Sequence, residues 1–180
     1  MMKHAWVVGA VAVVVATAIV AAMNVTHARN FQAVAVAAVT GLNAREGSPV
    51  ISLTAKRTGG SIIVTLTNVS GKILSVVPPA EYTLRQKFVD EKGEVTEGGN
   101  SAIMAQAPAD LAMVVEDLQP GETRTFSWLI MRMVVSGVTP EPGSSKFVAM
   151  YNGPAWSWEA VAKKHEVVGY MSRYSNPVDW

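Results

Sequence analysis

The sequence predicts a mainly β protein, an antiparallel immunoglobulin-like β-sandwich preceded by one N-terminal transmembrane helix. Three observations carry that expectation. An apolar run without a charge extends from Ala5 to Met23. From Val50 onward, short segments alternate apolar and polar side chains with the period of two that a half-buried strand requires. Between them, Gly, Pro, Asn and Asp cluster roughly every 8–15 residues, the turn spacing of an antiparallel sandwich.

The chain has 180 residues. An N-terminal targeting or anchoring segment of about 25 to 30 residues leaves room for one domain of ordinary size. The apolar share of 49% is raised by the N-terminus, and the chain beyond Arg29 mixes polar and apolar residues as globular domains do, which excludes a disordered chain. Net charge is +1. Lys and Arg are scattered singly apart from Lys56-Arg57 and Lys163-Lys164, so nucleic acid is not an expected partner. Cysteine is absent, which excludes disulfides, thiolate metal sites, thiol nucleophiles and a lipid carried on cysteine.

Ala5 to Met23 comes after the short positive stretch Met1-Met2-Lys3-His4, and only Thr17 interrupts it before Asn24. At the helical rise of about 1.5 Å per residue the run covers roughly 28 Å, close to the hydrocarbon thickness of a bilayer. It is longer than the apolar region of about 7–15 residues in a cleavable signal peptide. Retention as an anchor is therefore expected over removal, although Thr26-His27-Ala28 offers a small-x-small cleavage site. Residues 1–28 form the anchor or signal segment. The leading charges place the N-terminus in the cytoplasm and the residues after Arg29 outside, with Arg29 weakening the asymmetry.

Phe31 to Leu42, within a connecting segment 29–49, is a second apolar stretch that suits either an interfacial continuation of the anchor helix or a first buried strand. A sandwich domain over 50–155 comes next. Val50 to Lys56 and Ser61 to Asn68 form a hairpin about Arg57-Thr58-Gly59-Gly60, with Ile62, Val64 and Leu66 on one face. Ile73 to Val77 ends at Pro78-Pro79. Tyr82 to Val89 is the next strand, closed by the turn Asp90 to Gly93 and an exposed loop Glu94 to Asn100. Ile103 to Ala107 and Leu111 to Val115 are short segments around Pro108. Gln119-Pro120-Gly121-Glu122 is a turn, with proline and glycine suited to its central positions. Thr123 to Val135 is a core strand with Phe126, Trp128 and Ile130 on one face, and Pro140 to Gly143 turns the chain into Lys146 to Tyr151. In the C-terminal extension 156–180, Trp158, Val161, Ala162 and His165 have helical spacing, so a short helix is expected before an extended tail from Val167.

Asn68-Val69-Ser70-Gly71-Lys72 after an alternating strand, then Leu118 to Glu122 before Thr123 to Trp128, resembles bacterial exported immunoglobulin-like domains. The intracellular proteinase inhibitor type (BsuPI) is the nearest likeness, and Pro142-Gly143 ahead of Phe147 and Tyr151 resembles the proline-glycine turn and aromatic final strand of that group. The resemblance covers about 90 residues of turn chemistry that many sandwiches share, and implies fold alone. It brings no inhibitory activity, since no segment here can be identified as a protease-binding loop.

Candidate chemistry is sparse. The three histidines are His4, His27 and His165, and only the last falls inside the domain, so neither a catalytic nor a metal cluster can be built on histidine. Asp110, Glu116, Asp117 and Glu122 lie near turns without a base or nucleophile beside them, as surface carboxylates do. Nine methionines are unusual. Met104, Met113, Met131 and Met133 can be written as copper(I) ligands, and equally as packing residues, because Met131 and Met133 share one face of a strand. Asn24-Val25-Thr26 and Asn68-Val69-Ser70 match the glycosylation sequon. Aromatics gather at Trp156, Trp158, Tyr170, Tyr174 and Trp180, where they serve as core plugs or as contacts for a partner or for lipid headgroups.

These observations lead to the expectation of a non-enzymatic accessory or scaffolding subunit of a larger membrane assembly. It would use no cofactor, cross the bacterial inner membrane once through Ala5 to Met23, and hold its domain in the periplasm against other subunits. The alternatives are a periplasmic copper(I)-handling module and a secreted inhibitor or ligand-binding sandwich.

Overall fold

The computed structural model describes residues 3–45, 49–80, 83–98, 115–130, 133, 140, 143–159 and 164–180, with side chains described from Val20 onward except at 154–171. Helix α1 runs from Lys3 to Arg45 without interruption. Nothing in this Ala- and Val-rich stretch breaks a helix: it lacks proline, and Thr26 turns its hydroxyl back to the Ala22 carbonyl, 3.0 Å away. Phe31 to Leu42, open between helix and strand on its composition, is the distal part of this helix. Phe31, Ala35 and Val39 are buried, and their spacing of four places them in one stripe.

Ten strands succeed it among the described residues: β1 (Ile51–Thr58), β2 (Ser61–Asn68), β3 (Leu74–Val76), β4 (Leu84–Val89), β5 (Val95–Glu97), β6 (Glu116–Leu118), β7 (Thr123–Leu129), β8 (Lys146–Glu159), β9 (Lys164–Tyr174) and β10 (Val178–Asp179). They form two antiparallel sheets. The smaller has the order β1-β2-β7, and the larger β5-β4-β8-β3-β6, with β9 and β10 also paired to β8. Thr58 pairs Ser61 across Gly59-Gly60, so the first hairpin has a two-residue loop and Arg57 and Thr58 belong to the strand. Glu94 to Asn100, expected as a loop, contains β5, because Val95 pairs Val89 at the edge of the larger sheet.

The inner faces of the two sheets share one core. Ile62, Val64 and Leu66 are fully buried on β2, in one cluster with Leu84 and Phe88 of β4 and Phe147, Ala149 and Tyr151 of β8. Trp128 of the smaller sheet meets Phe147 of the larger edge to face, with centroids 5.7 Å apart. The alternation expected in Phe126, Trp128 and Ile130 is observed: all three pack on this core. The strand itself ends at Leu129, and of 130–139 only Ile130 and Met133 are described.

From Lys146 to Ala149, β8 is buried on both faces. Its odd-numbered side chains from Phe147 to Tyr151 point to the smaller sheet, while Val148, with Val89 of β4, meets Ala35 and Val39 of α1. The layers are therefore the smaller sheet, the larger sheet and the distal half of α1. The expected boundary at 155 falls inside β8, and 156–180 supplies β9 and β10 to the same sheet. No helix is present among the described residues of that segment: Trp158 pairs His165 and Glu159 pairs Lys164 in an antiparallel hairpin whose connection, 160–163, lies outside the described residues. Backbone pairing to β8 satisfies the polar groups of this segment, and it overrides the helical spacing of the side chains.

Candidate functional site

From Phe31 onward α1 is seated on the sandwich; before it, every described residue from Val20 to Asn30 is exposed. Val20, Met23 and Val25 are 57%, 66% and 51% exposed. Among the described residues no helix is long and apolar enough to cross a membrane. The described side chains begin at Val20, so most of the run Ala5 to Met23 lies outside them.

The seat is held by four consecutive residues that reach three different elements. The Asn43 carboxamide of α1 donates to the Tyr174 carbonyl (3.0 Å) and accepts the Tyr174 N–H (2.9 Å), as a neighbouring strand would. Ser175 exchanges bonds with Ala149 of β8: its N–H donates to the carbonyl at 2.8 Å, and its hydroxyl accepts the N–H at 3.0 Å. Asn176 does for Ala55 of β1 what Asn43 does for Tyr174, accepting at 2.9 Å and donating at 3.0 Å. Gln32 of α1 then donates to the Pro177 carbonyl, 3.3 Å away. Residues 174–177 thus stitch helix, larger sheet and smaller sheet at one seam.

On the opposite flank, the turn Asp90 to Gly93 supports the helix. Gly93 has φ of +84°, and a Cβ there would sit 3.3 Å from Val34 Cγ1, so the position needs glycine for its conformation and for its closeness to α1. His27 and Glu91 bridge helix and turn at 3.0 Å, both exposed.

Beside the seam, where α1 leaves the domain, an open groove of about 680 Å³ lies between Arg29 and Gln32 of α1, Lys56 and Arg57 of β1, Lys146 of β8 and Asp179 of β10. Lys146 is buried, ion-paired with Asp179, and sits 5.1 Å from the centre of the Phe31 ring. Among the described residues the Arg57 side chain reaches only the Asp179 carbonyl, at 3.4 Å. The side chains of Arg29 and Lys56 are exposed and make no hydrogen bond or ion pair among the described residues. Four cations against one carboxylate make this groove strongly positive in a chain of net charge +1. The sequence presents Lys56-Arg57 as a basic pair but does not join it to Arg29, because only the fold brings β1 to the helix.

The residues singled out from the sequence are dispersed. Trp180, expected as a contact residue, is 7% exposed; it stacks edge to face on Phe88 at 5.0 Å and donates from its indole to the Pro140 carbonyl at 2.9 Å. It is a core plug. Tyr174 is half-buried beside α1. The side chains of Trp156, Trp158 and Tyr170 lie outside the described residues, as do Asp110, Met104, Met113 and Met131. Met133 is buried in the sandwich core, packing among its apolar side chains. Glu116 and Glu122 flank Arg124 at 2.5 and 2.8 Å, and Asp117 accepts from Ser75. The Gln119 N–H, with Arg124, holds the Glu122 carboxyl below the usual carboxylate range, and Lys87 does the same for Glu97. Among the described residues no three of His, Asp and Glu are grouped as a metal site.

No family model matches this chain, nor does any curated protein sequence.

Proposed function

We propose that this protein is a membrane-anchored periplasmic subunit, an immunoglobulin-like sandwich without chemistry of its own that serves a larger membrane assembly as an accessory or scaffolding part. One observation carries the reading. The helix seated on the sandwich continues unbroken back to Lys3, and its described side chains from Asn30 to Val20, which include the end of the apolar run, are exposed. A helix of this length extends about 65 Å, and the exposed apolar side chains Val20, Met23 and Val25 call for lipid or another helix to cover them. The seam at 174–177 fixes the seated part of α1 to the sandwich through Gln32 and Asn43, which suits a part that sets the height and orientation of a docking surface. Such tethering raises local concentration, so modest contacts suffice for assembly.

Cleavage after Ala28 would cut within α1 and leave Phe31, Ala35 and Val39 seated, which is how the alternative, a secreted ligand-binding sandwich, would arise. N-terminal sequencing of the mature chain separates the two, a start near Arg29 favouring the secreted form. For the leading reading, the full chain is expected to stay with membranes through alkaline washing, and to emerge from mild detergent in a complex heavier than its own mass. Release by the wash sinks the anchor, and a lone monomer sinks the scaffolding role.

A further inference from the structure

The basic groove at the root of α1 is more than a charged surface, because its position along the helix coincides with a particular depth relative to the apolar run. We infer that it is a phosphate-binding site for the headgroup of an anionic phospholipid, and that it holds the sandwich down on the membrane surface. The inference rests on the proposed anchor.

Met23 closes the apolar run, and Arg29 lies six residues further along the same helix, about 9 Å at the helical rise. The polar headgroup layer extends roughly 5–8 Å beyond the hydrocarbon on each side, so the Arg29 guanidinium, on its long side chain, reaches headgroup phosphates. Arg29 and Gln32 lie on the helix face that borders the groove; Lys56 and Arg57, at the end of β1, close it from the sandwich side. Arg29 and Lys56, the two groove cations that hold no bond among the described residues, thus line the same open space from different elements. Lys146 is already paired with Asp179 and acts as the wall. The groove volume of about 680 Å³ admits a phosphate and its glycerol linker rather than a bare ion alone. An arginine fork with neighbouring lysine suits a phosphodiester oxygen pair. The same placement accounts for Arg29 standing on the outer side of the span, where the charge asymmetry of an anchor disfavours it.

The test uses the full chain in nanodiscs of phosphatidylcholine alone, and of phosphatidylcholine with phosphatidylglycerol, with hydrogen exchange measured at residues 55–57 and 176–179. Phosphatidylglycerol is expected to slow exchange there about fivefold or more without changing the β2 and β4 core. The triple variant Arg29→Gln, Lys56→Gln, Arg57→Gln is expected to lose that protection, each cation contributing about fivefold in affinity for an anionic surface. Core exchange in the variant reports that it is folded. A chain that stays inserted but shows the same exchange in both lipids overturns the headgroup site and leaves the anchor standing. A chain that fails to insert overturns both. Protection by inorganic phosphate in neutral discs, without any effect of phosphatidylglycerol, assigns the groove to a soluble anion and overturns the lipid.

Discussion

At the residue scale, Asn68 shows how a polar side chain becomes structural. It has no exposed surface, and its amide donates to the Lys72 carbonyl at 2.7 Å and the Leu118 carbonyl at 2.8 Å, while its oxygen accepts from the N–H and hydroxyl of Ser70. The turns Asn68 to Lys72 and Gln119 to Glu122 are thereby laced together, and its backbone adds bonds to Gly121 and Glu122. The sequon at Asn68 therefore cannot carry a glycan in the folded chain, since its nitrogen is enclosed. Asn68→Ala leaves two carbonyls without their donor and is expected to cost about 2–4 kcal/mol, read as a lower urea midpoint at unchanged slope. Glu122 makes a pH-dependent contribution of definite sign. Its folded pKa is depressed by the Gln119 N–H and Arg124, so the stabilisation is present above the unfolded carboxylate pKa and disappears as pH falls through the folded one. Glu122→Gln should lower the thermal midpoint at neutral pH and converge with the parent as pH falls below the folded pKa, where both states hold the proton; a constant gap between them would count against this assignment.

At the element scale, α1 divides at Phe31 into a seated part and a projecting part, and only side-chain burial draws that line. Ala35 is fully buried against Val89 and Val148. Ala35→Glu brings a charge into that contact, and is expected to unseat residues 31–45 with a cost of about 3 kcal/mol. Hydrogen exchange would rise along the distal helix and at Tyr174 while β2 stays protected; equal loosening of both would mean that helix and sandwich unfold as one unit. The strands with strict alternation, β2 and β7, are legible in the sequence because one face meets the core and the other meets water. Phe31 to Leu42 is not, since Ala and Val fill both its faces, yet the spacing of Phe31, Ala35 and Val39 holds the signal. β9 is hidden because Trp158, Val161, Ala162 and His165 mimic a helical stripe, whereas the alternation in Trp156-Ser157-Trp158 marks the strand that governs its neighbour. The groove is illegible for another reason: Arg29, Lys56 and Lys146 are 27 or more positions apart and converge only through tertiary structure.

At the scale of the whole molecule, the sandwich is held across its layers by aromatics and along one edge by the seam. Trp180 packs on Phe88 and Phe147 of the larger sheet and joins the cluster that contains Trp128 of the smaller one. Trp180→Ala should cost about 3–5 kcal/mol and lower the midpoint reported by every probe together, whereas a partner-facing tryptophan would leave the isolated chain's stability nearly unchanged. The seam has a temporal consequence as well. Asn43 and Tyr174 are 131 positions apart, and at synthesis rates of about 5–20 residues per second their meeting waits on the order of ten seconds. α1 is made before every strand but seated after nearly all of them, so through that interval Phe31, Ala35 and Val39 have no sheet to cover them. Biogenesis of this protein thus includes a stage in which an unseated apolar helix must be sheltered from aggregation until the last strands arrive.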